Sequence, residues 1–453
     1  MRLYQNAGLL AAGFALLATG VFLTAADTPT IEKNRATAHK HFNDGNFNDS
    51  YKLIRSLVLD KANPAPADDL SLGLQALARL GRIDEIDEFR ESAIKTHAEK
   101  VSLLYTAARS YLDYEHHGYI VAGQFSRGYK RGSGRYVNAF DRDRVRAMQL
   151  LMQGMPLARK QKDTQWVSDY FMTLAHTLRT GSNYRPAWKL QDLTDLNTLP
   201  DYQEGGHYWR RGWRRWDPHG GFSTAEDRGA PVTEKGEPLY YAIPKSWESA
   251  ANDGERWRWC LTEVAEIKAS RANEVAMIWA DFCRSQYGVQ TLLSAPRDTG
   301  DKEGTFSLHT LKDTETIARL ATGVKRFTLP REHNFIEIWR GVLARGGSEA
   351  TTAGVHLAGE FEDRRQYPKA ADAWRTVIAK FGKGVNNQYQ NRLDQIVGNW
   401  GIIEPFGTQP AVTKATFDLR FRNAKKVTFT AHAIKVEKLL TDVRDLLKAN
   451  PRN

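Results

Sequence analysis

The sequence predicts a mainly α protein: a tetratricopeptide-like α-solenoid over residues 30–400, followed by a small β-hairpin and a terminal helix over 411–453. Three observations carry this expectation. A turn glycine, an aromatic, a small residue and large apolar residues recur at helical spacing in four places. Residues 416–431 switch to the alternation of strands. From Val436 to Leu447 the apolar positions return to helical steps.

The chain opens with Arg2, an apolar run from Ala7 to Leu23 and the small residues Thr24-Ala25-Ala26. That order reads as a secretory signal over residues 1–26. A retained anchor is the alternative, because the run is close to the length that spans a bilayer. Either way the sequence predicts an exported protein: periplasmic, secreted, or held by an uncleaved N-terminal segment. No cysteine stands directly after the run, so a lipid anchor is not expected.

The repeats come next. In 38–58 the set is Gly45, Phe47, Ser50, Ile54 and Leu57. Gly81 lies near the 34-residue tetratricopeptide period after Gly45, and Ile83, Ile86 and Phe89 form a looser copy. A third copy has Leu174, Leu178, Gly181, Tyr184 and Ala187, and a fourth has Tyr367, Ala370, Trp374 and Val377. A small residue lets two helices approach, and an aromatic fills the groove between them. One such pair cannot hide its own apolar face, so pairs stack. Further helices are expected at Leu103–Leu112, Arg142–Arg159, Gly254–Ser270, Ala272–Tyr287, Thr314–Arg326 and Asn334–Leu343, with Asp141 and Asp313 as N-caps. Long loops are expected at 115–140 and 205–244, and a shorter break at 294–305. At the C-terminal end, Phe417, Leu419 and Phe421 alternate, Asn423-Ala424 is a turn, and Val427, Phe429 and Ala431 alternate again.

Among 453 residues, 41% are hydrophobic and 26% charged, which is enough apolar material for packed domains. The net charge of +11 favours acidic partners, such as an anionic envelope polymer or a membrane surface. Export argues against nucleic acid. Cys260 and Cys283 either pair in an oxidising compartment or serve as two small buried hydrophobes. His116-His117 lacks a third ligand at a helical offset, so no metal is expected. In FSRGYKRGSGRY (125–136), Arg127, Lys130, Arg131 and Arg135 form a solvated basic loop or an anion cradle, without the signature of a phosphate loop. The sharpest local feature is HYWRRGWRRW (207–216). Trp209, Arg210, Arg211, Trp213, Arg214, Arg215 and Trp216 are the candidate partner-binding residues, since Trp and Arg dominate protein interface hot spots. No nucleophile turn and no HExxH occurs, so neither catalysis nor a cofactor is expected.

Five stretches carry a family resemblance: YLDYEHHGYIVAGQF (111–125), WKLQDLTDLNTLPDY (188–202), SLHTLKDTETIARLATGVKRFTLP (307–330), RLDQIVGNWGIIEPFGTQP (392–410) and FDLRFRNAKKVTF (417–429). They resemble the N-terminal region of large bacterial alpha-2-macroglobulin-like proteins, from about residue 35 onward. In that group a helical-repeat segment precedes macroglobulin β-domains. The resemblance implies an exported protease-trapping (endopeptidase inhibitor) system, with a protease or a macroglobulin-like chain as protein partner. Some members carry a thioester between Cys and Gln in a CxEQ-type motif. Cys260 (CLTE) and Cys283 (CRSQ) lack it, so no functional residue of the family transfers to a position here. No β-sandwich run follows Asn453, which implies a truncated or split product, or a helical part with its own role.

Overall fold

The computed structural model describes residues 28–129, 134–180, 186–204, 229–294, 307–405, 407, 409, 414, 416–430 and 432–449. The protein is mainly helical with small antiparallel sheets. It divides into two compact units. One holds the described residues up to Ser307 together with Leu311–Ile338; the other holds Leu308–Thr310 and the chain from Trp339 onward.

The first unit begins with helices α1 (Thr28–Asn43), α2 (Phe47–Val58), α3 (Pro66–Leu80), α4 (Ile86–Thr96) and α5 (Val101–Asp113). Gly45 and Gly81, at φ +82 and +70, make the turns that the repeat spacing predicted. Ser50 is fully buried and donates its hydroxyl to the Ala38 carbonyl at 2.8 Å, so α2 lies close on α1. Gly73 brings α3 against the Phe89 ring of α4: a Cβ there would stand 2.6 Å from the ring and 2.9 Å from Ile54 Cγ2. Gly73→Ala should therefore lower stability by about 1–3 kcal/mol through overpacking, although alanine is the better helix former. Urea denaturation checks this, and a stabilised variant would contradict the close approach.

The expected loop at 115–140 is instead a sheet. Strands β1 (His117–Val121), β2 (Gln124–Arg127) and β3 (Arg135–Asn138) pair antiparallel, and β4 (Gln203–Glu204) joins β3, giving the order β2-β1-β3-β4. Ala122 and Gly123 both have positive φ (+50 and +81), as a tight two-residue hairpin turn requires. The Gly and charged content of this stretch hid an alternation that starts at His117. Helix α6 (Phe140–Ala158) follows. Asp141 lies within its first turn rather than at the N-cap, and accepts from Lys189 Nζ and Gln203 Nε2, both at 2.5 Å. Helix α7 (Thr164–Arg179) is capped by Asp163, which accepts from the backbone N–H groups of Gln165 and Trp166.

Here the third repeat copy departs from expectation. Its second helix, α8 (Pro186–Leu190), is only five residues long, and Gly181 and Tyr184 lie outside the described residues. Helix α7 packs instead on α9 (Asp253–Ile267), with the Ser168 hydroxyl donating to the Val264 carbonyl at 3.3 Å. Helix α10 (Ala272–Tyr287) closes an aromatic core on α9: Trp257 is fully buried and meets Phe282 edge-on at 4.8 Å.

The helix expected at Thr314–Arg326 is a hairpin of β5 (Glu315–Leu320) and β6 (Gly323–Thr328). Gly323 at φ +115 ends any helix there, and Thr316, Ile317 and Val324 are β-branched. Asp313 therefore caps no helix. Helix α11 (Phe335–Arg345) begins in the first unit and ends in the second. The second unit adds α12 (Ala350–Asp363), α13 (Tyr367–Phe381) and α14 (Gln388–Val397). Ala358, Ala371, Trp374, Val377 and Leu393 form its core, so the fourth repeat copy buries the residues its spacing singled out, except half-exposed Tyr367.

At the C-terminal end, β8 (Leu419–Arg422) pairs with β7 (Trp400–Ile403), not with 427–430, the described part of the expected second strand. The cause is local. Asn423 takes φ +60 and its amide donates to the carbonyls of Ile396 at 2.7 Å and Gly398 at 3.1 Å. This delivers the strand to the segment after α14. The two alternating stretches still meet, through the Phe417 and Phe429 rings at 5.2 Å. Helix α15 (Val436–Lys448) closes the described chain where the sequence expected it.

Candidate partner-binding surface

The sequence-predicted stripe of Trp209, Arg210, Arg211, Trp213, Arg214, Arg215 and Trp216 lies outside the described residues. The loop expected at 205–244 is described only from Gly229. There Ala230 bridges Leu320 and Val232 bridges Pro238.

Within the second unit, the segment from Trp400 onward presents a different surface. Helix α15 buries none of its residues. Its apolar stripe, Val436, Leu439, Leu440, Val443, Leu446 and Leu447, is between 44% and 72% exposed. Trp400, Ile402, Ile403, Phe421 and Phe429 are exposed as well. Among the described residues no third strand joins the β7–β8 ladder. A 13-residue helix is marginal alone in water, and so is a two-stranded sheet. Cover along the apolar face of the helix and along an open edge of the ladder would stabilise both.

In the first unit, a cleft of about 580 Å³ is lined by Asp87, Glu91, Tyr111, Arg127, Asp143 and Arg146, among others. Arg127, expected on a solvated basic loop, is buried at its centre. Its guanidinium forks onto Asp143 at 2.7 and 2.8 Å, reaches Asp87 at 3.0 Å, and donates to the Glu115 carbonyl at 2.5 Å. His116 Nδ1 lies 2.8 Å from the same Asp143 carboxylate, and its ring meets Phe140 edge-on. Arg90 pairs with Asp87 and stacks on Tyr111, whose hydroxyl donates to Glu91. Arg146 forks onto Glu91 at 2.7 and 2.8 Å. Burial pushes the Asp143 carboxyl up, but hydrogen bonds from Arg127 and His116 outweigh it and hold the group below the usual carboxylate range. Glu91 is held down in the same way, by Arg146 and Tyr111 against burial. Cations and carboxylates alternate here, so the cluster clasps the sheet to α4 and α6. The sequence offered little sign of it, because the partners of Arg127 stand 16 and 40 positions away.

His117 does not share the ion cluster with His116; its ring stacks on Tyr136 at 5.8 Å. Among the described residues no group of three or more His, Cys, Asp or Glu side chains could hold a metal ion. Cys260 and Cys283 are free, fully buried thiols, both pushed well up by burial. No helix among the described residues is long and apolar enough to cross a membrane.

No protein-family model matches the chain, and no curated protein matches it.

Proposed function

We propose that this chain is an exported, non-enzymatic scaffold that docks a protein partner, the helical front part of an alpha-2-macroglobulin-like protease-trapping system. The observations that carry the docking are the apolar stripe of α15, exposed among the described residues, and the β7–β8 ladder, which no third described strand joins. A partner rich in β-sheet fits both features, because it can add a strand to the open ladder and lay an apolar face on the helix. A macroglobulin-type β-domain is such a partner, and the resemblance of residues 392–410 and 417–429 points to the same class. The packing of helices on their chain neighbours, α1 on α2, α2 on α3 and α12 on α13, supports a tetratricopeptide-like stack as the scaffold.

The test titrates the purified chain with purified macroglobulin-type β-domains. Binding is followed by calorimetry, and the apolar surface by a fluorescent apolar dye. Wild type should bind the domains and release the dye. Leu439→Asp with Leu446→Asp should weaken binding about a hundredfold or more, as paired hot-spot losses do. Equal binding by the double variant would overturn the reading. The net charge of +11 suggests a second reading, attachment to an anionic envelope polymer. That attachment would survive the α15 changes and fall steeply with salt, whereas an apolar interface would not.

A further inference from the structure

The β1–β2–β3 sheet has two faces of different chemistry. Gly118 and Phe125 lie on the face turned to the ion cluster: a Cβ at Gly118 would strike the Phe125 ring at 2.6 Å. On the other face the side chains are His117 and Tyr119, two positions apart on β1, with Tyr136 of β3 directly across from Tyr119. The Tyr119 and Tyr136 rings stand 5.3 Å apart at 61°. The Gly128 N–H donates to the His117 carbonyl at 2.7 Å, and Gly128, at φ +84, turns the chain so that Tyr129 rises from the end of β2. The Tyr129 ring is 80% exposed and stands edge-on to Tyr119 at 6.4 Å and 82°. Glu115, His117, Tyr119, Gly128, Tyr129 and Tyr136 enclose a cavity of about 290 Å³, near the small end of ligand pockets.

We infer that this aromatic recess is a binding site for a small alkylammonium ion. Tyrosine faces carry partial negative charge and attract cations, most strongly where water is thinned by neighbouring rings. Among the described lining residues Glu115 carries the formal negative charge, and none of them is Lys or Arg. Burial depresses the proton affinity of His117, so its ring is a neutral wall at pH 7. Arg127, the nearest cation in the strand, is turned to the opposite side and neutralised by Asp87 and Asp143. Among the described lining residues an anion would meet the ring faces and Glu115, both repulsive.

Calorimetric titration with choline, and with its uncharged isostere in which carbon replaces the ammonium nitrogen, tests the site. Choline should bind saturably, and the isostere about fivefold or more weakly, since only the cation gains from the ring faces. Tyr129→Ala should weaken choline binding about three- to tenfold at an unchanged melting temperature, because the ring is exposed. Glu115→Gln should weaken it as well, and should flatten its salt dependence. No saturable choline binding, equal affinity for the isostere, or full affinity in folded Tyr129→Ala would each overturn the site.

Discussion

Arg127→Ala should cost about 3–5 kcal/mol of stability, the usual result of removing one partner of a buried ion pair. The side chain is 2% exposed and joins three segments at once: Asp87 on α4, Asp143 on α6 and the carbonyl of Glu115. Its loss leaves the Asp143 carboxylate, 4% exposed, with His116 as its remaining contact in the cluster. The sheet loses its tie to the helices, and the cleft loses its central cation. Urea denaturation of wild type, Arg127→Ala, Asp143→Ala and the double variant provides the check. The double variant should recover part of the loss, because it no longer buries an unpaired charge. A cost below about 1 kcal/mol for Arg127→Ala, within the range of surface pairs, would show that the clasp does not hold the fold.

Stability should also fall as pH drops from 6.5 toward about 4, and His333 should account for much of that fall. Its imidazole is 2% exposed, against the rings of Tyr240 at 4.7 Å and Trp279 at 5.2 Å. Burial first, and Arg258 second, lower its pKa from 6.5 to about 4, with Glu332 opposing. Between those values the unfolded chain takes up a proton that the folded chain refuses. The folded state therefore loses stability with falling pH, by about 3 kcal/mol once both values are passed. His97, His117 and His176 are depressed by burial and act in the same direction. The lowered carboxyls of Asp143 and Glu91 add a further loss as pH falls through their folded values. His333→Phe fills the same aromatic niche without a titrating group. Its stability curve should be flatter than that of wild type between pH 6.5 and 4; parallel curves would remove His333 from the account.

Much of the helical scaffold was legible in the residues, because helix spacing is a local property. α2, α10, α13 and α15 lie where apolar steps and turn glycines put them. Each error has its own cause. Thr314–Arg326 has apolar residues that fit a helix as well as a strand, and the turn at Gly323 chose between them. Residues 115–140 looked like loop because an alternation of His, Gly and Tyr carries little hydrophobic contrast. The β8 partner could not be read from alternation alone, since strand pairing is set by what the turn residues bind; here Asn423 binds the end of α14.

The aromatic recess shows the same division. FSRGYKRGSGRY drew attention by its arginines, yet Tyr129 and Tyr136, with Tyr119 from another strand, form the enclosed surface. By itself the sequence determined that helices would dominate, where most of them lie and that a terminal amphipathic helix would form, because periodicity and turn chemistry act within a few residues. Only the tertiary structure decided that Arg127 is a buried tie, that β8 joins β7 and that three tyrosines share one cavity. Each of these brings together groups 16 or more residues apart, or two strands in a chosen register, and a local pattern holds no information about such meetings.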